Sequence, residues 1–184
     1  MFYEQLEKLA LSLKKRDIDY MLIGGQAVLL YGEPRLTKDI DVTIGLGPEN
    51  ISVVLEIVNE LGLKVLVDSP GEFVVRTMVL PCMEPVTGIR IEFIFSISSY
   101  EKQALKRVKH VPIGKANVHF VSIEDLIIHK IIAGRPRDIE DVKAVINKNK
   151  NLDAKYIRKW LGQFDETLSQ SYLTSFEELW KVYK

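Results

Sequence analysis

Apolar and polar residues alternate along this chain with two periods, and the periods divide it. Phe2, Leu6, Leu9 and Leu13 recur at helical spacing with Glu and Lys between them, which predicts an amphipathic helix over residues 2–16. Tyr20 to Ile23 is a short apolar run halted by Gly24-Gly25. It reads as a buried strand entering a tight turn, with a short helix starting over 26–31. Ile40, Val42 and Ile44 then alternate with Asp39, Asp41 and Thr43, a period-two strand with one apolar and one acidic face. A helix is predicted at about 49–61, with Val54, Leu55, Val58 and Leu61 on one stripe and Gly62 at its end. Strand text occupies 63–67, 72–80, 89–95 and 109–121, with a short basic helix near 100–107.

From Ser122 onward the period is helical, over 123–132, 138–148, 153–165 and 172–182. Ser122-Ile123-Glu124-Asp125 resembles a capping box at the first of these helices. Tyr172, Phe176 and Trp180 share one helix face and read as a core stripe. The predicted fold class is α+β: a mixed β-sheet flanked by helices over 1–121, then a helical C-terminal part, 122–184, packed on that core. No repeat, low-complexity tract or Ser/Gly linker separates the two.

Composition narrows the function classes. The chain has 184 residues with 25 Lys and Arg against 25 Asp and Glu. Zero net charge argues against a globally basic duplex-binding protein. Cys82 is the single cysteine, which excludes a disulfide framework and a cysteine-based zinc site. The most apolar stretch, Met21 to Tyr31, is too short to span a bilayer, and no signal-peptide pattern opens the sequence. These features predict a cytoplasmic protein with no membrane partner.

Candidate chemistry concentrates in Gly24-Gly25-Gln26-Ala27 and in Arg35, Thr37, Lys38 and Asp39-Ile40-Asp41. Strand residues two apart share a face, so the Asp39 and Asp41 carboxylates project together from one sheet surface. Their mutual repulsion is resolved most simply by a hard divalent cation such as Mg²⁺. A Gly-Gly turn leading into a helix N-terminus offers backbone N–H groups to phosphate. Metal carboxylates beside a phosphate cradle suit phosphoryl or nucleotidyl transfer. Read singly, an Asp-x-Asp strand is a solvated face and a Gly-Gly pair is a turn; their combination points to function.

Gly24-Gly25 followed by Asp39-x-Asp41 resembles the signature of the nucleotidyltransferase superfamily, which shares the fold of polymerase beta and kanamycin nucleotidyltransferase. The fuller text, Gly-Gly-Gln-Ala, Tyr-Gly, then Arg-x-Thr-x-Asp-Ile-Asp, is similar to a small bacterial branch that includes AbiEii-type abortive-infection toxins. The resemblance implies Mg²⁺ held by Asp39 and Asp41, an NTP with its phosphates at Gly24 and Gly25, and contacts from Arg35 and Thr37 to phosphate or ribose. It also implies a third carboxylate on a later strand, for which Glu92 in Arg90-Ile91-Glu92-Phe93 is the candidate, with Glu72 and Glu84 as competitors. The family's usual Ser is replaced by Gly25 and its commoner third Asp by Glu92.

A second similar block runs from Ser122 through Lys130 to Arg135, Asp138 and Asp141. Lys130 can act as a point charge on nucleotide phosphates. Asp138 and Asp141, three apart on one helix face, can hold Lys130 or an Arg, or serve helix structure through the first-turn preference for acids. The implied activity is transfer of NMP from an NTP to a hydroxyl acceptor: RNA such as tRNA, a protein, or a small molecule. The toxin-like branch implies an antitoxin protein as partner. An alternative reading is a catalytically weak nucleotide-binding regulatory module of the same fold.

Other motifs carry less. Gly45-Leu46-Gly47-Pro48 lacks the final Gly of a dinucleotide fingerprint, and no P-loop is present. His110, His119 and His129 are too scattered in sequence to suggest a zinc site. The run Lys102 to Lys109 and the lysines of 143–159 read as solvated helix faces, although local basic patches able to guide RNA can exist at zero net charge.

Overall fold

The computed structural model describes residues 2–34 and 36–184. The elements are α1 (Phe2–Lys15), β1 (Tyr20–Leu22), α2 (Gly24–Tyr31), β2 (Asp39–Ile44), α3 (Ile51–Glu60), β3 (Lys64–Val65), α4 (Pro70–Thr77), β4 (Val79–Met83) and β5 (Arg90–Phe95). They continue with α5 (Ser99–Leu105), β6 (Lys109–Ile113), β7 (Ala116–Phe120), α6 (Ile123–Ala133), α7 (Pro136–Lys148), α8 (Ala154–Leu168) and α9 (Tyr172–Tyr183). A 3₁₀ turn, Pro48–Asn50, precedes α3. The fold class is α+β, with one seven-stranded mixed sheet in the order β3-β4-β5-β2-β1-β7-β6. β2 runs parallel to β5 and β1 parallel to β7; the other neighbours are antiparallel.

The chain forms two compact units: Met1–Gln26 with Leu36–Val121, and Ala27–Arg35 with Ser122–Lys184. In the first unit the sheet is anchored by Ile40, Val42, Ile91 and Phe93, all without solvent exposure. Each such side chain contributes about 1.5–3 kcal/mol on burial. The outermost strand β6 carries Lys109 and Pro112, which blunt an open edge against further pairing. In the second unit Leu126, Ile131, Val145, Ile157, Leu161 and Phe176 form the core. Gly32 packs closely there, because a Cβ would stand 3.2 Å from Val145.

The structure refines the sequence reading at three places. The strand predicted over 72–80 is helix α4 up to Thr77, and the strand begins only at Val79. Pro70 opens that helix, Glu72 and Arg76 complement its dipole at either end, and Met78 closes it in the left-handed region at φ 61°. These end signals outweigh the β-branched text inside. The strand text over 109–121 resolves into a hairpin, turning at Gly114, whose φ is 57°. The capping at Ser122 is also only half of a box. Its hydroxyl accepts from the Asp125 N–H at 3.1 Å, but the Asp125 carboxylate accepts from the Ser122 and Tyr156 hydroxyls rather than from backbone.

Candidate active site

The carboxylate face begins with β2. Ile40, Val42 and Ile44 point into the core, so Asp39 and Asp41 emerge together on the opposite face, Asp39 exposed and Asp41 half-buried. In the parallel ladder with β5, Asp39 stands beside Arg90 and Asp41 beside Glu92. Residues directly beside one another in a parallel pair share a face, and neighbouring strands lie about 4.8 Å apart. Four charged side chains thus form one patch on two central strands: three carboxylates and the Arg90 guanidinium.

The Gly24-Gly25 segment is fitted to that patch. Gly24 has φ +63°, and a Cβ on it would lie 2.0 Å from Asp41 Oδ2. Both the backbone conformation and the space require glycine. The Asp41 carboxylate therefore rests against the backbone where α2 begins, and helix N-termini favour anions. The Ile23 N–H donates to the Asp41 carbonyl at 2.9 Å, tying the two loops of chain together. The buried Gln26 amide donates to the Asp39 carbonyl at 3.4 Å. The helix starts at Gly24, two residues earlier than the sequence suggested, which brings both glycines into its first turn. Thr37 is half-buried just ahead of β2. Arg35 lies outside the described residues.

The donor set suits Mg²⁺. All three candidates are hard carboxylate oxygens on adjacent positions of one face. Among the described residues no group of three or more His, Cys, Asp or Glu side chains is placed to hold a metal ion. That is compatible with Mg²⁺, which keeps waters and uses one or two carboxylates plus substrate phosphates.

Lys130, Asp138 and Asp141 form a separate cluster in the second unit. The Lys130 ammonium donates to Asp138 Oδ1 at 2.5 Å and stands 2.9 Å from Asp141 Oδ2. All three are buried. The i, i+3 pair on one face of α7 holds the Lys130 ammonium. Asp138 Oδ2 is buried without a hydrogen-bond partner. Elsewhere in this unit, burial raises the Tyr31 phenol above its ordinary value, and the Glu124 and Asp125 charges raise it further.

Of the competitors for the third carboxylate, Glu72 lies in the first turn of α4. It lines a depression of about 410 Å³ with Phe73 and Arg76, and none of the three strand carboxylates lines it. Glu84 accepts from the Val86 and Thr87 N–H groups and the Thr87 hydroxyl, a local turn role. Those bonds, the Thr87 hydroxyl's first, hold its carboxyl below the usual range. Two residues beside the candidate carboxylates escape the sequence reading. Arg90 was legible only through its alternation with Glu92, and Gln26 only as part of the Gly-Gly-Gln-Ala text. His110 and His119 are cross-strand partners with ring centroids 4.3 Å apart, and Tyr20 stacks on His119 at 4.7 Å.

A family model described as "Nucleotidyltransferase of unknown function (DUF6036)" matches residues 2–184. The chain belongs to this family. As a nucleotidyltransferase it is an enzyme of transferase class. Its fold is similar to that of the antibiotic-resistance factor ANT(2'')-Ia, with TM-score 0.63 and 15% identity over 91% of this chain and 92% of that one. It is also similar to an antigenic nucleotidyltransferase-like protein from Paracoccidioides brasiliensis, with TM-score 0.57 and 17% identity over 94% and 92%. The lincosamide antibiotic adenylyltransferase LnuA, lincomycin-bound, gives TM-score 0.56 and 13% identity over 79% and 97%. At these identities the likeness establishes the fold. The comparison with curated proteins gives no match. Among the described residues of this nucleotidyltransferase no helix is long and apolar enough to cross a membrane.

Proposed function

We propose that this nucleotidyltransferase moves NMP from an NTP to a hydroxyl acceptor in a Mg²⁺-dependent reaction centred on Asp39, Asp41 and Glu92. The observation that carries the reading is the parallel register that sets Asp41 beside Glu92, with Asp39 on the same face and the Gly24 backbone against Asp41. Asp39 and Asp41 would hold Mg²⁺, which when bound supplies neutralisation of the phosphate charge. Glu92 completes the ligand set and accepts the proton of the attacking hydroxyl. The acceptor O–P bond forms at the α-phosphorus as the bond to pyrophosphate breaks, and pyrophosphate carries away the displaced electron pair. Gly24 and Gly25 offer backbone N–H groups to the triphosphate. Arg35 and Thr37 contact phosphate or ribose. The proposed phosphate role of Lys130, with Asp138 and Asp141 orienting it, requires the ammonium to leave its buried ion pairs with them.

The acceptor classes are RNA including tRNA, a protein, or a small hydroxylated molecule. The small molecule gains support from neighbours described as an antibiotic-resistance factor and a lincosamide adenylyltransferase. The AbiEii-like text supports a cytoplasmic toxin role with an antitoxin partner. A second reading, a catalytically weak nucleotide-binding module, is favoured by Gly25 and Glu92 standing where Ser and Asp are usual. The test incubates the protein with each α-labelled NTP, Mg²⁺ and panels of RNA, protein and aminoglycoside. Labelled acceptor that disappears in Asp39→Asn and Asp41→Asn supports transfer. Nucleotide binding without label on any panel supports the module instead.

A further inference from the structure

The neutral total conceals a division of charge within residues 122–184. That stretch carries 11 Lys and Arg against 10 Asp and Glu. Four of the acids, Glu124, Asp125, Asp138 and Asp141, are buried, but only one of the bases, Lys130. The solvent-facing side chains are therefore ten bases against six acids, a surplus of about four positive charges at neutral pH.

The surplus is concentrated at one end. α8 and α9 run antiparallel: Asp165 near the end of α8 accepts from the Tyr172 and Leu173 N–H groups at the start of α9. At the opposite end Lys184 donates to the Asn149 and Lys150 carbonyls, just ahead of α8. Asp165 and Glu166 fall at the turn, whereas the early bases of α8 and the late bases of α9 fall together, with Asp153, the α8 N-cap, among them. Lys143, Lys148 and Arg158 are satisfied by Glu140, Glu33 and Glu177. Lys150, Lys155, Lys159, Lys181 and Lys184 have no carboxylate within ion-pair distance among the described residues. Helix dipoles account for Lys181 near the end of α9, but they oppose Lys155 in the first turn of α8. Helix stability does not explain that lysine.

Aromatic rings lie among these charges. The Trp180 ring has the Arg158 guanidinium 5.7 Å from its centroid and the Lys184 ammonium at 5.4 Å. Lys143 lies 5.8 Å from the Tyr183 ring, and both rings are part-exposed. Of these three cations only Lys184 has no carboxylate partner among the described residues, but the rings stand on the same two helices as Lys155, Lys159 and Lys181; aromatic faces among basic side chains bind the bases and phosphates of single-stranded nucleic acid.

We propose that this basic, aromatic end of the helical part is a docking surface for single-stranded RNA. Naming that RNA as the transfer acceptor rests on the nucleotidyl-transfer reading; the binding itself does not. The test is fluorescence anisotropy of a short labelled oligouridylate on the full chain without NTP, repeated over a salt series. Anionic lipid vesicles form a parallel arm, and Mg²⁺·NTP binding is titrated separately. Neutralising about five phosphates predicts a log–log salt slope near −3.5 for a single strand. The Lys150→Glu/Lys184→Glu variant should weaken RNA binding at least about tenfold at low salt and flatten the slope by roughly 1.4. Trp180→Ala should weaken binding at least about fivefold, with Trp180→Phe retaining most of it should truncation disturb the fold. Lys64→Glu/Lys102→Glu, in the first unit, should stay within about twofold of wild type, since it removes no contact of this surface. RNA binding that is absent, insensitive to salt, or unchanged in the lysine variant overturns the proposal, as does binding confined to vesicles. A failure here with intact NTP binding leaves the catalytic reading standing.

Discussion

Replacing Gly24 with alanine separates two costs that the geometry assigns to different atoms. Gly24 sits at φ +63°, a conformation that disfavours an L-residue by about 1–2 kcal/mol. The added methyl would lie 2.0 Å from Asp41 Oδ2, so that carboxylate has to leave its place. Swinging it off its rotamer costs about 0.5–1.5 kcal/mol more. Gly24→Ala should therefore destabilise by about 1.5–3.5 kcal/mol in the native background. In an Asp41→Ala background the clash is gone and only the backbone cost, about 1–2 kcal/mol, remains. The assay is urea unfolding of all four proteins by circular dichroism, with unchanged m-values as the condition for comparison. The cycle should give a coupling of about 0.5–1.5 kcal/mol, as expected for residues in contact. An equal cost in both backgrounds would refute the claim that Asp41 rests on Gly24. Gly24→Ala should also lose Mg²⁺·NTP binding at temperatures where it is fully folded, because the carboxylate proposed to hold the metal has been displaced.

Lys130→Met removes the cation that Asp138 and Asp141 share and should cost about 3–5 kcal/mol in denaturant unfolding. Adding Asp138→Asn and Asp141→Asn should recover at least about half of it; no recovery would show that the three do not act as one charge cluster. His119 is held below its ordinary value of 6.5, first by burial and then by His110 and Lys14, with Asp19 opposing. The unfolded chain binds that proton first. The contribution of this group is therefore full above pH 6.5 and is lost as pH falls through the native value. Wild type should lose stability more steeply than His119→Gln between neutral and mildly acidic pH, and parallel curves would contradict this. Burial pushes the Cys82 thiol up to about 12, so native protein should resist a thiol reagent at pH 8 until it is unfolded. Rapid labelling of the folded chain would place Cys82 nearer the surface.

What could be read from the sequence was set by the range of the interactions involved. The alternation from Asp39 to Ile44 is legible because one face of β2 is wholly buried, so each acid is fixed by its apolar neighbours. The side of β5 on which Glu92 emerges is legible for the same reason. The parallel register that sets Glu92 beside Asp41, and Arg90 beside Asp39, is not, since the intervening crossover leaves no periodic trace. α4 was misread because its β-branched Val74 and Val75 mask end signals at Pro70 and Met78. The clamp on Lys130 was readable from helical spacing, but its burial was not. Nor could counting reveal the charge division of residues 122–184, because only folding decides which acids are taken out of water.

Mn²⁺ in place of Mg²⁺ reports the carboxylate patch directly, through electron paramagnetic resonance of the bound ion in the presence of a non-hydrolysable NTP. The account predicts nucleotide-dependent Mn²⁺ binding by the wild-type chain, abolished in Asp39→Asn/Asp41→Asn while circular dichroism confirms an intact fold. Equal Mn²⁺·NTP binding by that folded double variant would contradict the assignment of the site.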